Sequence, residues 1–141
     1  MAPTAPAPAA ASDWFLFPNE TEIAFDAADR TLGFVCLDGG DFAAYLNLPG
    51  VPVATDDGLA TFGFAYEGFG GFLDSTDEWL FVDLGDGLYA TDTTTSYLIV
   101  FGLEFNDAVV VSHAGVALLE APGGEGLSVL TQRMPCLAEG E

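Results

Sequence analysis

A series of short apolar runs begins at Trp14 and indicates the secondary structure of this chain. Each run spans about five to eight residues and ends at a cluster of Gly, Asp, Pro or Thr, which is the pattern of antiparallel strands joined by turns. The clearest is Thr61 to Tyr66, where Phe62, Phe64 and Tyr66 alternate with smaller side chains. The predicted strands are Trp14 to Phe17, Thr21 to Phe25, Thr31 to Leu37, Phe42 to Leu48, Leu59 to Tyr66, Trp79 to Asp83, Leu88 to Thr91, Ala108 to Ser112 and Val116 to Leu119.

Two further segments have helical features. The run from Tyr97 to Leu103 follows hydroxyl residues that could cap a helix, but it fits a fully buried strand equally well. The segment from Gly126 to Met134 carries apolar residues at helical spacing, and Pro135 is expected to end it. We therefore expect a mainly β fold: an antiparallel β-sandwich of about eight to nine short strands with a short C-terminal helix.

The chain divides into an arm and one domain. Residues 1–13 form an Ala/Pro-rich run that favours extended polyproline conformations and is expected to act as a flexible spacer. Residues 14–141 are long enough to bury the core of a single β-rich domain. No stretch reaches the length of a membrane span, because Glu104, Asn106 and Asp107 interrupt the longest apolar region, so membrane insertion is not expected.

Charge narrows the range of partners. The chain has 22 carboxylate side chains against Arg30 and Arg133, with no lysine and a formal net charge of -20. Nucleic acids and anionic membranes are bound through Lys and Arg, so neither is expected as a partner. A protein partner, divalent cations or a high-salt surrounding remain, because a surface of one sign needs something to screen or bridge it.

Cys36 and Cys136 lie near opposite ends of the predicted domain and lack the spacing of a zinc or redox motif. A disulfide between them is the favoured interpretation, and it implies an oxidising compartment, periplasmic or extracellular. The alternative is two unrelated buried thiols.

Catalytic groups are scarce. The single histidine, His113, follows Ser112 directly, and neighbouring strand residues point to opposite faces, so the two do not suit a nucleophile and base pair. An isolated histidine at a strand end is more often structural. We therefore predict a protein that is not an enzyme and that has no cofactor, with a calcium ion as the one candidate.

Calcium is considered because aspartates recur in loop-like clusters. Asp74, Asp77 and Glu78 place three carboxylates within a few residues and are the best candidate ligands. The competing interpretation is favoured: Asp and Gly are the residues that tight turns require.

A glycine-rich stretch provides the candidate partner-binding residues Tyr66, Phe69 and Phe72. Aromatic rings among glycines in a loop commonly anchor an interface. The equal alternative is that Phe69 and Phe72 close the open end of the sandwich.

The order of these segments resembles small disulfide-closed periplasmic bacterial β-domains, such as the accessory family associated with type VI secretion. The residues that carry the resemblance are Thr31 to Cys36, Ala43 to Leu46, Phe64 to Gly68, Trp79, Leu88 and Tyr89, Tyr97 to Leu103, Val109 to Val111 and a terminal helix that ends at Cys136. The resemblance implies a periplasmic, disulfide-closed β-domain that works by contact.

These observations favour a secreted or periplasmic protein-interaction module with an acidic surface. The first alternative is a homo-oligomeric or structural subunit of an assembly, such as a virion decoration or surface-layer protein, whose strand edges pair with neighbours. The second alternative is a calcium-dependent binding module.

Overall fold

A computed structural model describes residues 14–68 and 77–138 of the chain. Within these ranges the strands form a single antiparallel sheet in the order β1-β2-β3-β4-β7-β6-β5-β8-β9. Their bounds are β1 Trp14–Leu16, β2 Glu22–Ala27, β3 Arg30–Cys36, β4 Phe42–Asn47, β5 Leu59–Glu67, β6 Asp77–Gly85, β7 Leu88–Ala90, β8 Ala108–His113 and β9 Val116–Pro122. The helices are α1 Thr93–Glu104, α2 Glu125–Thr131 and α3 Pro135–Ala138, with a short 3₁₀ turn at Asp38–Gly40.

The mainly β prediction is confirmed, and each predicted strand is present with its ends shifted by a few residues. The sandwich is not confirmed. Every strand is hydrogen-bonded to the next in one continuous sheet, which curls into a half-barrel around the helices. The reason is a long-range pairing: β4 pairs on one side with β3 and on the other with β7, so the two halves of the strand set are joined edge to edge.

The core lies on the inner face of this curl. Alternation within each strand directs bulky residues inward, as in β5, where Phe62 and Phe64 are fully buried and Thr61 faces outward. Helix α1 covers the same face with Ile99, Val100 and Leu103. The core is therefore built from sheet on one side and helix on the other.

Helix α1 also completes the backbone hydrogen bonding of β4. Strand β7 is short and pairs only with Tyr45–Asn47, which leaves the first half of β4 without a strand neighbour on that side. The Ala44 amide donates to the Ser96 hydroxyl at 2.7 Å, and the Phe42 amide donates to the Thr93 hydroxyl at 3.3 Å. Hydroxyls of the first helical turn thus accept the hydrogen bonds that a neighbouring strand would otherwise accept. The Tyr97 to Leu103 run, which the sequence left open, is helix rather than strand.

The two edges of the sheet approach each other, and side chains bridge the gap. The Trp14 indole donates to the Pro122 carbonyl at 2.7 Å, and the Arg30 guanidinium donates to the Leu118 carbonyl at 2.7 Å. Two carbonyls of the edge strand β9 are therefore occupied by side chains of β1 and β3, which makes that edge less available for pairing with another chain.

The C-terminal helix prediction needs correction at its end. The helix α2 stops at Thr131 instead of Met134, and Pro135 begins α3 instead of closing α2. Proline suits the first position of a helix, because its missing N–H has no intrahelical partner there. Cys136 of α3 lies beside Cys36 at disulfide distance, with their Cα atoms 5.7 Å apart, so this bond ties the C-terminus to the end of β3.

Candidate functional site

The outer face of the sheet carries an apolar surface that the helices do not cover. We call it the outer-face patch. Its members are Val35, Leu37, Ala43, Tyr45, Leu80, Val82, Leu84, Leu88 and Ala90, contributed by β3, β4, β7, β6 and the residue after β3. A groove of about 410 Å³ runs through it, and exposed apolar surfaces of this kind commonly mark interaction sites.

Strand geometry explains why the patch forms. Val82 of β6 pairs directly with Ala90 of β7, so both point outward, while Phe81 points into the core. Leu80, on the same outward side of β6, is 57% exposed and Val82 is 47% exposed. Over residues 79–82 strand β6 is thus apolar on both faces, although only one face is covered by the domain itself.

One wall of the groove is fixed by a polar contact. Tyr45 of β4 lies over Gly33 of β3 and donates a 2.5 Å hydrogen bond to the Glu22 carboxylate on β2. Burial raises the pKa of Tyr45 well above its ordinary value, and the hydrogen bond and charge of Glu22 raise it further. The phenol therefore stays protonated across the physiological range and holds the ring in place.

The charge around the patch is of one sign. Glu22 lines the groove, and the negative charges of Glu22 and Asp26 both act on Tyr45. Both cationic side chains are engaged elsewhere: Arg30 binds a carbonyl of β9, and Arg133 pairs with Glu20. The described part of the surface therefore offers this patch carboxylates and no neighbouring cation.

Of the predicted partner-binding residues, Tyr66 is described, and it faces inward. Its ring lies against Gly102 of α1, and its hydroxyl donates to the Ile99 carbonyl at 3.3 Å. Burial is the main cause that raises its pKa, with the charge of Asp77 adding to it. Phe69 and Phe72 lie outside the described residues.

The predicted calcium ligands are only partly described. Asp77 and Glu78 are consecutive residues of β6, both exposed, and their side chains point to opposite faces of the sheet. Asp74 lies outside the described residues. Across residues 14–68 and 77–138, no three His, Cys, Asp or Glu side chains are grouped so that they could hold a metal ion.

His113 has backbone partners at both ring nitrogens. Its Nδ1 lies 2.8 Å from the Thr61 carbonyl, and its Nε2 accepts a 3.0 Å hydrogen bond from the Ala54 amide. Because Nε2 accepts, Nδ1 is the nitrogen that donates to the Thr61 carbonyl. The imidazole thereby ties the loop after β4 to the end of β8.

Sequence reasoning missed the outer-face patch, although a signal was present. The run Leu80-Phe81-Val82 has no polar residue on either face, which an antiparallel strand with one solvated face would normally show. A strand that is apolar on both sides either lies between two layers or presents one side to a partner.

None of the helices within the described ranges is long and apolar enough to traverse a bilayer. No protein-family model, no curated protein and no solved structure matches this chain.

Proposed function

We propose that this protein is a non-enzymatic, secreted or periplasmic interaction module that binds a cationic polypeptide segment on its outer-face patch. The observation that carries the proposal is the exposed apolar groove on β3, β4, β7 and β6, with the Glu22 carboxylate in its wall. Apolar contact would supply most of the affinity, and charge would select the partner.

The sign of the charge argues for a basic partner. With a formal net charge of -20, the protein attracts cationic chains and repels anionic ones over a distance set by the ionic strength. A partner with alternating apolar and basic residues would place its apolar side chains in the groove and its cations beside Glu22 and Asp26. Its binding should weaken as salt is added.

The same charge disfavours a second copy as the occupant, since two such bodies would have to meet face to face. Pairing through strand edges is also disfavoured within the described sheet. Strand β1 is only three residues long, and β9 has two carbonyls occupied by Trp14 and Arg30. A structural subunit that assembles through its edges is therefore the weaker proposal.

Export is supported by the Cys36 and Cys136 pair, since such bonds persist in oxidising compartments. The absence of catalysis is supported by His113, whose two ring nitrogens are both engaged by backbone groups.

The test is a binding titration with defined peptides. A fluorescent peptide of alternating lysine and valine is titrated with the full-length protein, and peptides of glutamate and valine or of lysine and serine serve as comparisons. We expect binding of the first peptide only. Leu84→Gln and Val82→Thr should each weaken it about tenfold, which corresponds to about 1.4 kcal/mol.

Leu98→Gln is the matched control, because Leu98 is 51% exposed on α1, close to the 57% of Leu84, and lies away from the patch. It should leave the affinity unchanged. If the lysine and serine peptide binds equally well, or if Leu98→Gln weakens binding as much as Leu84→Gln, the outer-face patch is not the binding site.

A further inference from the structure

A second apolar groove lies on the side of the sheet that carries the helices. Tyr97 and Phe101 of α1 form one wall, and Cys136 and Leu137 of α3 form the other. The groove has a volume of about 340 Å³, and Phe101 within it is 44% exposed. It lies on the opposite face from the outer-face patch, so it does not depend on the function proposed above.

A row of aromatic rings leads through the domain and ends at this groove. Trp14 stacks on Phe34 at 5.9 Å, Phe34 on Phe42 at 5.8 Å, and Phe42 on Tyr97 at 4.9 Å between ring centroids. Phe101 follows Tyr97 at 5.8 Å. The row therefore begins at the residue where the described domain starts and ends in the exposed groove.

The chain before Trp14 has the composition that such a groove accommodates. Residues 2–12 read Ala-Pro-Thr-Ala-Pro-Ala-Pro-Ala-Ala-Ala-Ser and carry no charged side chain. Alternating prolines preform the extended polyproline helix, and proline-rich segments bind grooves lined by aromatic rings with little loss of conformational entropy. An uncharged segment also meets no repulsion from the acidic domain.

The arm is long enough to reach the groove. In the polyproline conformation it extends by about 3.1 Å per residue, so the segment spans roughly 30 Å. This exceeds the length of the aromatic row even if the row were straight, since none of its steps is longer than 5.9 Å.

We propose that residues 2–12 bind in the Tyr97 and Phe101 groove of their own chain. Attachment to the same domain gives the arm an effective concentration in the millimolar range, which lets a weak contact be occupied. An arm from a second copy would have to bring two bodies of charge -20 together first. The bound prolines cover Phe101 and Cys136, which both line the groove.

Nuclear magnetic resonance on the full-length protein tests the proposal. We expect nuclear Overhauser contacts between proline protons of the arm and the rings of Tyr97 and Phe101. The alanine amides of the arm should show heteronuclear Overhauser values close to those of the domain. Phe101→Ser should abolish the contacts and lower these values, whereas Phe105→Ser should not, because Phe105 lies outside the groove and is 78% exposed.

A variant in the arm keeps the test independent of folding. The double substitution Pro6→Ser and Pro8→Ser changes no residue of the domain. It should release the arm as Phe101→Ser does. The proposal is overturned if the wild-type arm shows no contact with Tyr97 or Phe101. It is equally overturned if the contacts appear only as protein concentration and molecular mass rise together, since the arm would then bind a second copy.

Discussion

The ring of Tyr45 occupies the space that a side chain at position 33 would fill, so Gly33 and Tyr45 form one unit on the outer face of the sheet. Gly33 lies in β3 without a left-handed backbone conformation, and its lack of a side chain serves the close approach of the ring. Through this unit Tyr45 reaches across β3 to Glu22 on β2. The shape of the groove therefore depends on the absence of a side chain at Gly33, which leaves room for the Tyr45 ring.

Gly33→Ala should displace the Tyr45 ring and break its bond to Glu22. The methyl group meets the far end of a flexible side chain, so the ring moves rather than the backbone, and we expect a loss of about 1 to 2 kcal/mol in the free energy of unfolding. Urea denaturation measures this loss in the free energy of unfolding. Tyr45→Phe keeps the ring and removes only the hydroxyl, with an expected loss of about 1 kcal/mol. A Gly33→Ala protein as stable as wild type would show that the ring does not cover this position.

The two arginines should differ in importance. Arg30→Ala removes the donor to the Leu118 carbonyl that closes the sheet, and we expect a loss of about 1 to 2 kcal/mol together with a greater tendency to self-associate through β9. Arg133→Ala removes an exposed pair with Glu20 and should cost at most about 1 kcal/mol. Denaturation and sedimentation of both variants provide the comparison. Equal effects would contradict the closing role of Arg30.

Reduction of the Cys36 and Cys136 bond should lower stability strongly. The bond joins residues 100 positions apart, and closing a loop of that size stabilises by about 4 to 5 kcal/mol in the chain-entropy model. Unfolding is measured with and without a reductant. The double variant Cys36→Ser and Cys136→Ser, which cannot form the bond, is the control. If the reductant changes the unfolding of wild type no more than that of the double variant, the bond does not form in solution.

Glu104 should make stability depend on pH. Burial raises the pKa of Glu104, although the hydrogen bond from Thr131 opposes this. A raised pKa in the folded state gives stability that is fully present below the unfolded pKa of about 4.3 and is lost as pH rises through the folded pKa. Glu104→Gln should therefore be more stable than wild type at neutral pH and equal to it near pH 3. A variant less stable than wild type at neutral pH would mean that the charged carboxylate is favoured in the fold.

Calcium should act on this protein only as a screening ion. Asp77 and Glu78 point to opposite faces of β6, so they do not converge on one ion. We expect CaCl2 and NaCl at matched ionic strength to raise the melting temperature alike. A rise with low millimolar calcium well beyond that in NaCl would support the calcium-dependent module instead.

The strands could be predicted from the sequence because their cause is local. Phe62 and Phe64 alternate with small residues, and turn residues stand at the end of each run, so neither signal requires knowledge of distant parts of the chain. The acidic character and the scarcity of cations also follow directly from the sequence, and with them the preference for a basic partner.

Other features required the tertiary structure because they depend on which segments meet. The Tyr97 to Leu103 run is apolar enough for a strand or a helix, and it is helix where Ser96 supplies the hydroxyl that β4 needs beside the short β7. The single curled sheet follows from the pairing of β4 with β7, and the outer-face patch from the side of β6 that no other layer covers. Local pattern determines how each segment folds, whereas long-range pairing decides which of its faces is left for another molecule.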